Sequence, residues 1–248
     1  MEPYQIAVLC VAVAASSVIK NSAAVGSGIF LLPVLALAFP PKIALGLGAP
    51  AMLASDIMGL RNYWREWGDW REILRVVLAA TVGIALGSYC IQAIPADIFK
   101  LGIGGFAVAF ALYHLLRDAG LLAAARESRV GGGIASSICI GALGGVATVL
   151  AHAGGLVWSM YFAGRKMDKR CFTATMILLF AISNLVKLAA YMQLGILNME
   201  SNLLILAMAP VIYLSSNLGN RINKRVNPAL FRNIVLMLIL VVGASLFL

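Results

Sequence analysis

The chain has 248 residues, of which 62% are hydrophobic and 12% charged, and its mean hydropathy is +0.95. So little polar surface excludes a soluble globular domain. The net charge of +9 would suit a nucleic-acid partner, but the basic residues are dispersed beside apolar runs. That placement is typical of charges that set membrane topology, and we expect no nucleic-acid binding.

Ten apolar segments follow one another along the chain, and several approach the ~20 residues that a membrane-spanning helix needs. They cover residues 4–19, 23–39, 43–60, 73–93, 97–116, 131–150, 151–163, 172–195, 201–219 and 229–248. The sequence therefore predicts an all-α, polytopic membrane protein with a single transporter-like domain over residues 1–248. The N-terminal stretch has no basic region and makes a poor signal peptide, so we expect the first segment to be retained.

Two pairs of segments are short and interrupted, at corresponding places in the two halves of the chain. The interruptions hold Lys20, Asn21, Ser22, Gly26 and Gly28 in the first half, and His152, Gly154 and Gly155 in the second. Paired, Gly-interrupted apolar segments are typical of the broken helices of transporters. We therefore expect about eight to ten membrane segments, with these two pairs as broken or re-entrant helices.

The two halves also resemble each other in sequence. Leu86-Gly87 precedes Phe99-Lys100 at the spacing with which Leu218-Gly219 precedes Phe231-Arg232. Gly28-Ile29 can be aligned in the same order with Gly155-Leu156. This pattern predicts an internal repeat, with one unit over about 1–120 and the other over about 130–248.

The distribution of positive charge gives each half an orientation. All but four of the 19 Lys and Arg residues lie in four groups, within 61–75, 117–129, 165–170 and 221–232. Basic loops stay cytoplasmic. Corresponding loops of the two halves differ in charge, because 61–75 is basic whereas 188–202 has no Lys or Arg. The sequence therefore predicts an inverted-topology repeat with both termini non-cytoplasmic.

The Gly-rich stretches and their order resemble the TauE/SafE family of sulfite and organosulfonate exporters over nearly the whole chain. The stretches that carry the resemblance are Val25–Pro33, Gly141–Gly145, His152–Gly155, Leu86-Gly87 with Ile94-Pro95, and Leu218–Arg221 with Phe231-Arg232. The resemblance implies an α-helical carrier of small anions in the cell membrane. No cofactor and no metal are expected, and a homodimer is compatible with the sequence.

Two lysines inside apolar segments are candidate anion ligands, because an unpaired charge in hydrocarbon is disfavoured by ~3 kcal/mol or more. Lys20 lies beside the first break, with Asn21 next to it. Lys187 follows Asn184 by three residues, so both can share one helix face. The alternative for either lysine is a structural ion pair or a side chain that reaches the interface; for Lys20 the partner would be Asp56.

The glycines at the breaks allow two interpretations. Gly26, Gly28, Gly154 and Gly155 could mark unwound backbone whose free N–H groups face an anion. They could equally allow close helix packing. His152, at the second break, could donate to an oxyanion, carry a proton or be structural. Asp56, within the second span, could carry a proton or pair with Lys20.

Together these features predict a secondary transporter that works by alternating access, and the resemblance implies that it moves sulfite or an organosulfonate across the membrane, in the direction of export. The sequence has no P-loop, dinucleotide fingerprint or zinc-binding helix motif, which disfavours an ATP-driven pump on this chain. Two alternatives stay open. One is a passive anion channel, and the other is an intramembrane enzyme that uses His152 and Asp56.

Overall fold

The computed structural model describes residues 2–23, 26–121, 133–165, 167–197, 199–225 and 227–247. These ranges hold eleven α-helices and no strand. The helices are α1 (Pro3–Ala23), α2 (Ser27–Ala36), α3 (Pro41–Asn62), α4 (Trp70–Ala93), α5 (Ala96–Asp118), α6 (Ile134–Ala151), α7 (Gly154–Ala163), α8 (Lys169–Gln193), α9 (Met199–Ala207), α10 (Ala209–Arg225) and α11 (Pro228–Ser245).

Six of the described helices, α1, α3, α4, α5, α6 and α8, are long and apolar enough to cross a membrane. The prediction of an all-α, polytopic membrane protein is confirmed. Large apolar side chains line the outer face of α4 at helical spacing, where Leu78, Val82, Leu86 and Tyr89 are exposed. Such a stripe on an otherwise packed helix is the surface that lipid covers.

Both interrupted pairs end in a helix of only ten residues, α2 in the first half and α7 in the second. Ten residues rise about 15 Å, which is half of a hydrocarbon core about 30 Å thick. Neither helix can cross a membrane alone. The interruptions lie between α1 and α2 and between α6 and α7, but Lys20, Asn21 and Ser22, which the sequence places in the first interruption, belong to the end of α1.

Two predicted elements differ from the structure. The segment 201–219 is divided between α9 and α10 at Met208, and Pro210 lies in the first turn of α10, where its missing N–H is tolerated. The predicted basic loop 220–232 is largely helical, because α10 continues to Arg225 and α11 begins at Pro228. Cations in the last turn of a helix are stabilised by its dipole, which favours this extension of α10.

Helix packing follows one pattern in both halves. Helix α4 of the first half packs against α6 of the second, and α10 of the second half packs against α1 of the first; α5 packs against α11, and α3 against α8. These pairs map onto one another if α1 corresponds to α6, α3 to α8, α4 to α10 and α5 to α11. Two repeats related by a two-fold axis, as the sequence predicts, would produce this arrangement. The repeat boundaries near 120 and 130, and the orientation in the membrane, stay predictions.

The glycines that suggested the repeat occupy corresponding contacts. A Cβ built on Gly219 would lie 2.6 Å from the carbonyl oxygen of Val18 on α1. A Cβ built on Gly87 would lie 3.2 Å from the Cα of Val146 on α6. Both glycines thus let one helix approach the backbone of its partner closely, as small residues do in membranes.

Candidate functional site

The two breaks lie against each other. Gly26, at the start of α2, has φ of +91°, and His152, at the end of α6, has φ of +52°. Glycine adopts this left-handed conformation freely, and His is among the side chains that tolerate it. Gly28 packs directly on the backbone of His152, and a Cβ at Gly28 would overlap the His152 carbonyl oxygen.

Only one of the four glycines predicted to mark unwound backbone has a left-handed conformation. That residue is Gly26; Gly28, Gly154 and Gly155 lie in the first turns of α2 and α7. A Cβ on Gly154 would lie 2.6 Å from a carbonyl oxygen of α6, and one on Gly155 would lie 2.5 Å from the ring of Phe180. The close-packing interpretation therefore describes these three residues, since their helices approach too closely for a side chain.

Lys20 pairs with Asp56 in the interior. Its Nζ lies 2.7 Å from Asp56 Oδ1 and donates to the carbonyl oxygen of Met52 at 3.1 Å. The second carboxylate oxygen accepts a hydrogen bond of 2.6 Å from the amide of Asn184. Lys20 is 1% exposed and Asp56 0%. This buried group joins α1, α3 and α8, and the pairing of Lys20 with Asp56 that the sequence left open is present.

Lys187 lies against His152 rather than against a carboxylate. The Lys187 Nζ is 2.7 Å from the Nδ1 of His152, and the two residues are 0% and 3% exposed. One nitrogen must donate and the other accept in so short a contact. The pair can therefore hold one positive charge but not two, because a doubly protonated pair has no acceptor.

Helix α8 connects the two polar groups. Asn184 and Lys187 are three residues apart, so their side chains share one face; Asn184 reaches Asp56, and Lys187 reaches His152. The electrostatic interactions of Lys187 with Lys20 and Asp56 extend across the two groups. Taken together, the four titratable groups are two lysines, one carboxylate and one imidazole, so lysines outnumber carboxylates in this buried group.

Asn21, the neighbour of Lys20 in α1, bonds to residues of α1, of α3 and of the loop that follows α3. Its amide donates to the carbonyl oxygen of Ser17 at 3.0 Å and to the hydroxyl of Ser55 at 3.4 Å. Its backbone carbonyl accepts a hydrogen bond of 3.0 Å from the Tyr63 hydroxyl. Burial raises the pKa of Tyr63 to about 12, so this hydroxyl stays a donor at neutral pH. Asn21 thus ties the end of α1 to α3.

Three residues that the sequence did not indicate lie in contact with these groups. His152 Nε2 packs against Gly48 of α3, where a side chain would not fit. A Cβ on Gly48 would lie 2.7 Å from that nitrogen. The Phe180 ring centroid is 5.3 Å from the Lys20 Nζ, within the range of a cation–π contact. The Tyr191 hydroxyl donates to the carbonyl oxygen of Val149, near the second break, at 2.6 Å.

Comparison with known proteins gives one match. A family model described as Sulfite exporter TauE/SafE matches residues 8–246, nearly the whole chain. No curated protein and no solved structure matches the chain.

Proposed function

The chain belongs to the sulfite exporter TauE/SafE family, and we propose that it is a secondary transporter that exports a small sulfur-containing anion, sulfite or an organosulfonate, across the cell membrane. The observation that carries this proposal is the buried 2.7 Å contact of Lys187 with His152 at the second break, where the lysine faces an imidazole and not a carboxylate. Buried charges need a counter-charge, and a transported anion would supply it.

The anion would bind beside Lys187 and His152. Lys20 already has a carboxylate partner at 2.7 Å, whereas Lys187 contacts a second base. An oxyanion placed between Lys187 and His152 would accept charge-assisted hydrogen bonds from both. Helices α2 and α7 are the two half-length helices that follow the breaks. Their first turns add the positive ends of their helix dipoles to the site. Lys20, Asn21, Asn184 and the four glycines would shape the site around these contacts.

Alternating access would open and close this site. Among the described residues, three ion pairs connect the halves, and in each pair the first half supplies the acid and the second half the arginine. They are Glu72–Arg165 at 2.6 Å, Glu66–Arg170, and Asp118–Arg232 at 2.6 Å. All six residues belong to or adjoin the groups of basic residues predicted to be cytoplasmic. These pairs support a conformation closed on the cytoplasmic side, which would open as the halves separate.

Coupling to protons would use Asp56 or His152, because either group could gain or lose a proton beside the anion. Asp56 is held between Lys20 and Asn184. His152 faces Lys187 and has its second ring nitrogen beside Gly48. Either residue could change its protonation as the anion enters or leaves.

Transport by purified protein in liposomes tests this proposal. The panel is sulfite, thiosulfate, methanesulfonate and acetate, each measured for uptake and for counterflow against internal substrate. A carrier moves unaltered sulfur oxyanions with saturation and counterflow. Conductance without counterflow would identify a channel instead, and a chemically altered product would identify an enzyme.

A further inference from the structure

We propose that the site neutralises one net negative charge, so that it takes a monovalent anion directly and a divalent anion only together with one proton on His152. This inference rests on the proposed anion transport and specifies the charge of the substrate. It makes monovalent sulfur oxyanions, sulfonates and hydrogen sulfite, the substrate class that the resting site accepts.

The charge count follows from the groups that face one another in the interior. Helix α1 contributes Lys20, α3 contributes Asp56, and α8 contributes Lys187 and the neutral Tyr191. Helix α2 has no titratable residue, and Tyr161 on α7 is bonded to Glu72. Lys20 and Asp56 cancel at 2.7 Å. The Lys187–His152 pair then leaves one positive charge, which one negative charge on the anion neutralises.

A divalent anion would leave one negative charge without compensation in the interior, which is costly in a medium of low dielectric constant. A second proton on the Lys187–His152 pair removes that cost. In the resting site that we propose, Lys187 donates and His152 Nδ1 accepts in the 2.7 Å contact, so the second proton goes to the imidazole. Two cations at this distance repel each other unless an anion oxygen binds both, so proton uptake and divalent-anion binding require each other. The proton enters from the solution that supplies the anion and leaves with it.

The probes are methanesulfonate, which is monovalent, and thiosulfate, which is divalent across the pH range used. Tracer uptake into proteoliposomes is recorded together with the internal pH, between pH 5.5 and 8. We expect methanesulfonate to enter without a proton. Thiosulfate should enter with one proton per anion, and its apparent affinity should rise about tenfold for each unit by which the pH falls.

The variant His152→Asn tests the assignment of the proton. Asn tolerates the left-handed backbone at this position, and its amide oxygen can accept from Lys187 but cannot be protonated. We expect it to bind both probes more weakly and to lose the pH dependence of thiosulfate binding. His114→Asn changes the other histidine of the chain, on α5, and should keep that dependence.

Thiosulfate entry without a proton, or methanesulfonate entry with one, would overturn the inference while leaving anion transport intact. So would a failure of thiosulfate to bind at every pH, or a pH dependence unchanged in His152→Asn. Failure of both probes to enter would instead contradict the proposed transport function on which the inference rests.

Discussion

Lys187 and His152, two nitrogen bases 35 residues apart in the chain, lie 2.7 Å from each other in the interior of the helix bundle. Lys20, by contrast, lies at the same distance from a carboxylate. The two lysines that look alike in sequence therefore differ in their surroundings. One lysine faces a carboxylate, and the other faces an imidazole.

Loss of either member of the Lys20–Asp56 pair should destabilise the protein more than loss of both. Lys20→Met and Asp56→Asn each leave one buried charge without its partner, which costs about 3–5 kcal/mol. The double variant removes both charges at similar volume and should lose much less than the sum. The free energy of unfolding in detergent, measured for all four proteins, gives the interaction energy. Additive losses would mean that the two side chains do not stabilise each other.

Adding one methyl group at Gly48 should weaken anion binding without unfolding the protein. In Gly48→Ala the new Cβ would lie 2.7 Å from His152 Nε2, so the imidazole must move. Displacing a packed side chain costs about 1–3 kcal/mol, which corresponds to a loss of affinity of about tenfold or more.

The matched control for this change is Gly102→Ala, also within a helix, where a Cβ meets nothing within 4 Å. Alanine should stabilise that helix by ~0.5–1 kcal/mol, with transport unchanged. Equal anion affinities in the two variants would remove Gly48 from the site.

The sequence located the helices and the breaks, because apolar length, glycine position and basic charge each leave a local pattern. It could not tell whether a glycine serves an unwound turn or a close contact, since both require only that Cβ be absent. Gly26 and Gly155 show the two cases. It also could not place His152 beside Lys187, or Gly48 beside His152, because those contacts depend on how distant helices pack.

Weakening an ion pair between the halves should open the cytoplasmic side. The Glu72 carboxylate accepts hydrogen bonds from Arg165 and from the Tyr161 hydroxyl, and Glu72→Gln removes its charge. A partly exposed pair is worth about 0.2–1 kcal/mol, so the open population should rise by up to about fivefold. Thr175 is buried near the loop at Gly68. A single cysteine at this position should become accessible when the cytoplasmic side opens, so its rate of labelling measures the open population.

Asp97→Asn, which removes an exposed carboxylate near the start of α5, controls for the change in net charge. It should leave labelling at Thr175→Cys unchanged. If Glu72→Gln also leaves the rate unchanged, the pair does not hold the halves together.

The predicted inverted orientation of the halves can be measured at two positions that follow corresponding helices or end them. Arg71 lies in the first turn of α4, beyond the loop that follows α3, and Gln193 ends α8, the counterpart of α3. Single cysteines at these positions, in a background without other cysteines, should react with impermeant maleimide from opposite sides. Arg71→Cys is expected to react from the cytoplasm and Gln193→Cys from outside; labelling from the same side would contradict the inverted repeat. The loop position Asn198, another site for this test, lies outside the described residues.

The most direct test of the anion site is counterflow of methanesulfonate by Lys187→Ala in proteoliposomes. Lys100→Ala removes the same charge at the start of α5 and is the matched control. With equal insertion and thermal stability, Lys187→Ala should lose affinity by at least about thirtyfold, because a buried charge-assisted contact is worth ~2–5 kcal/mol; Lys187→Arg should recover part of it. Counterflow by Lys187→Ala that matches both the wild type and Lys100→Ala would contradict the assignment of Lys187 and His152 as the anion site.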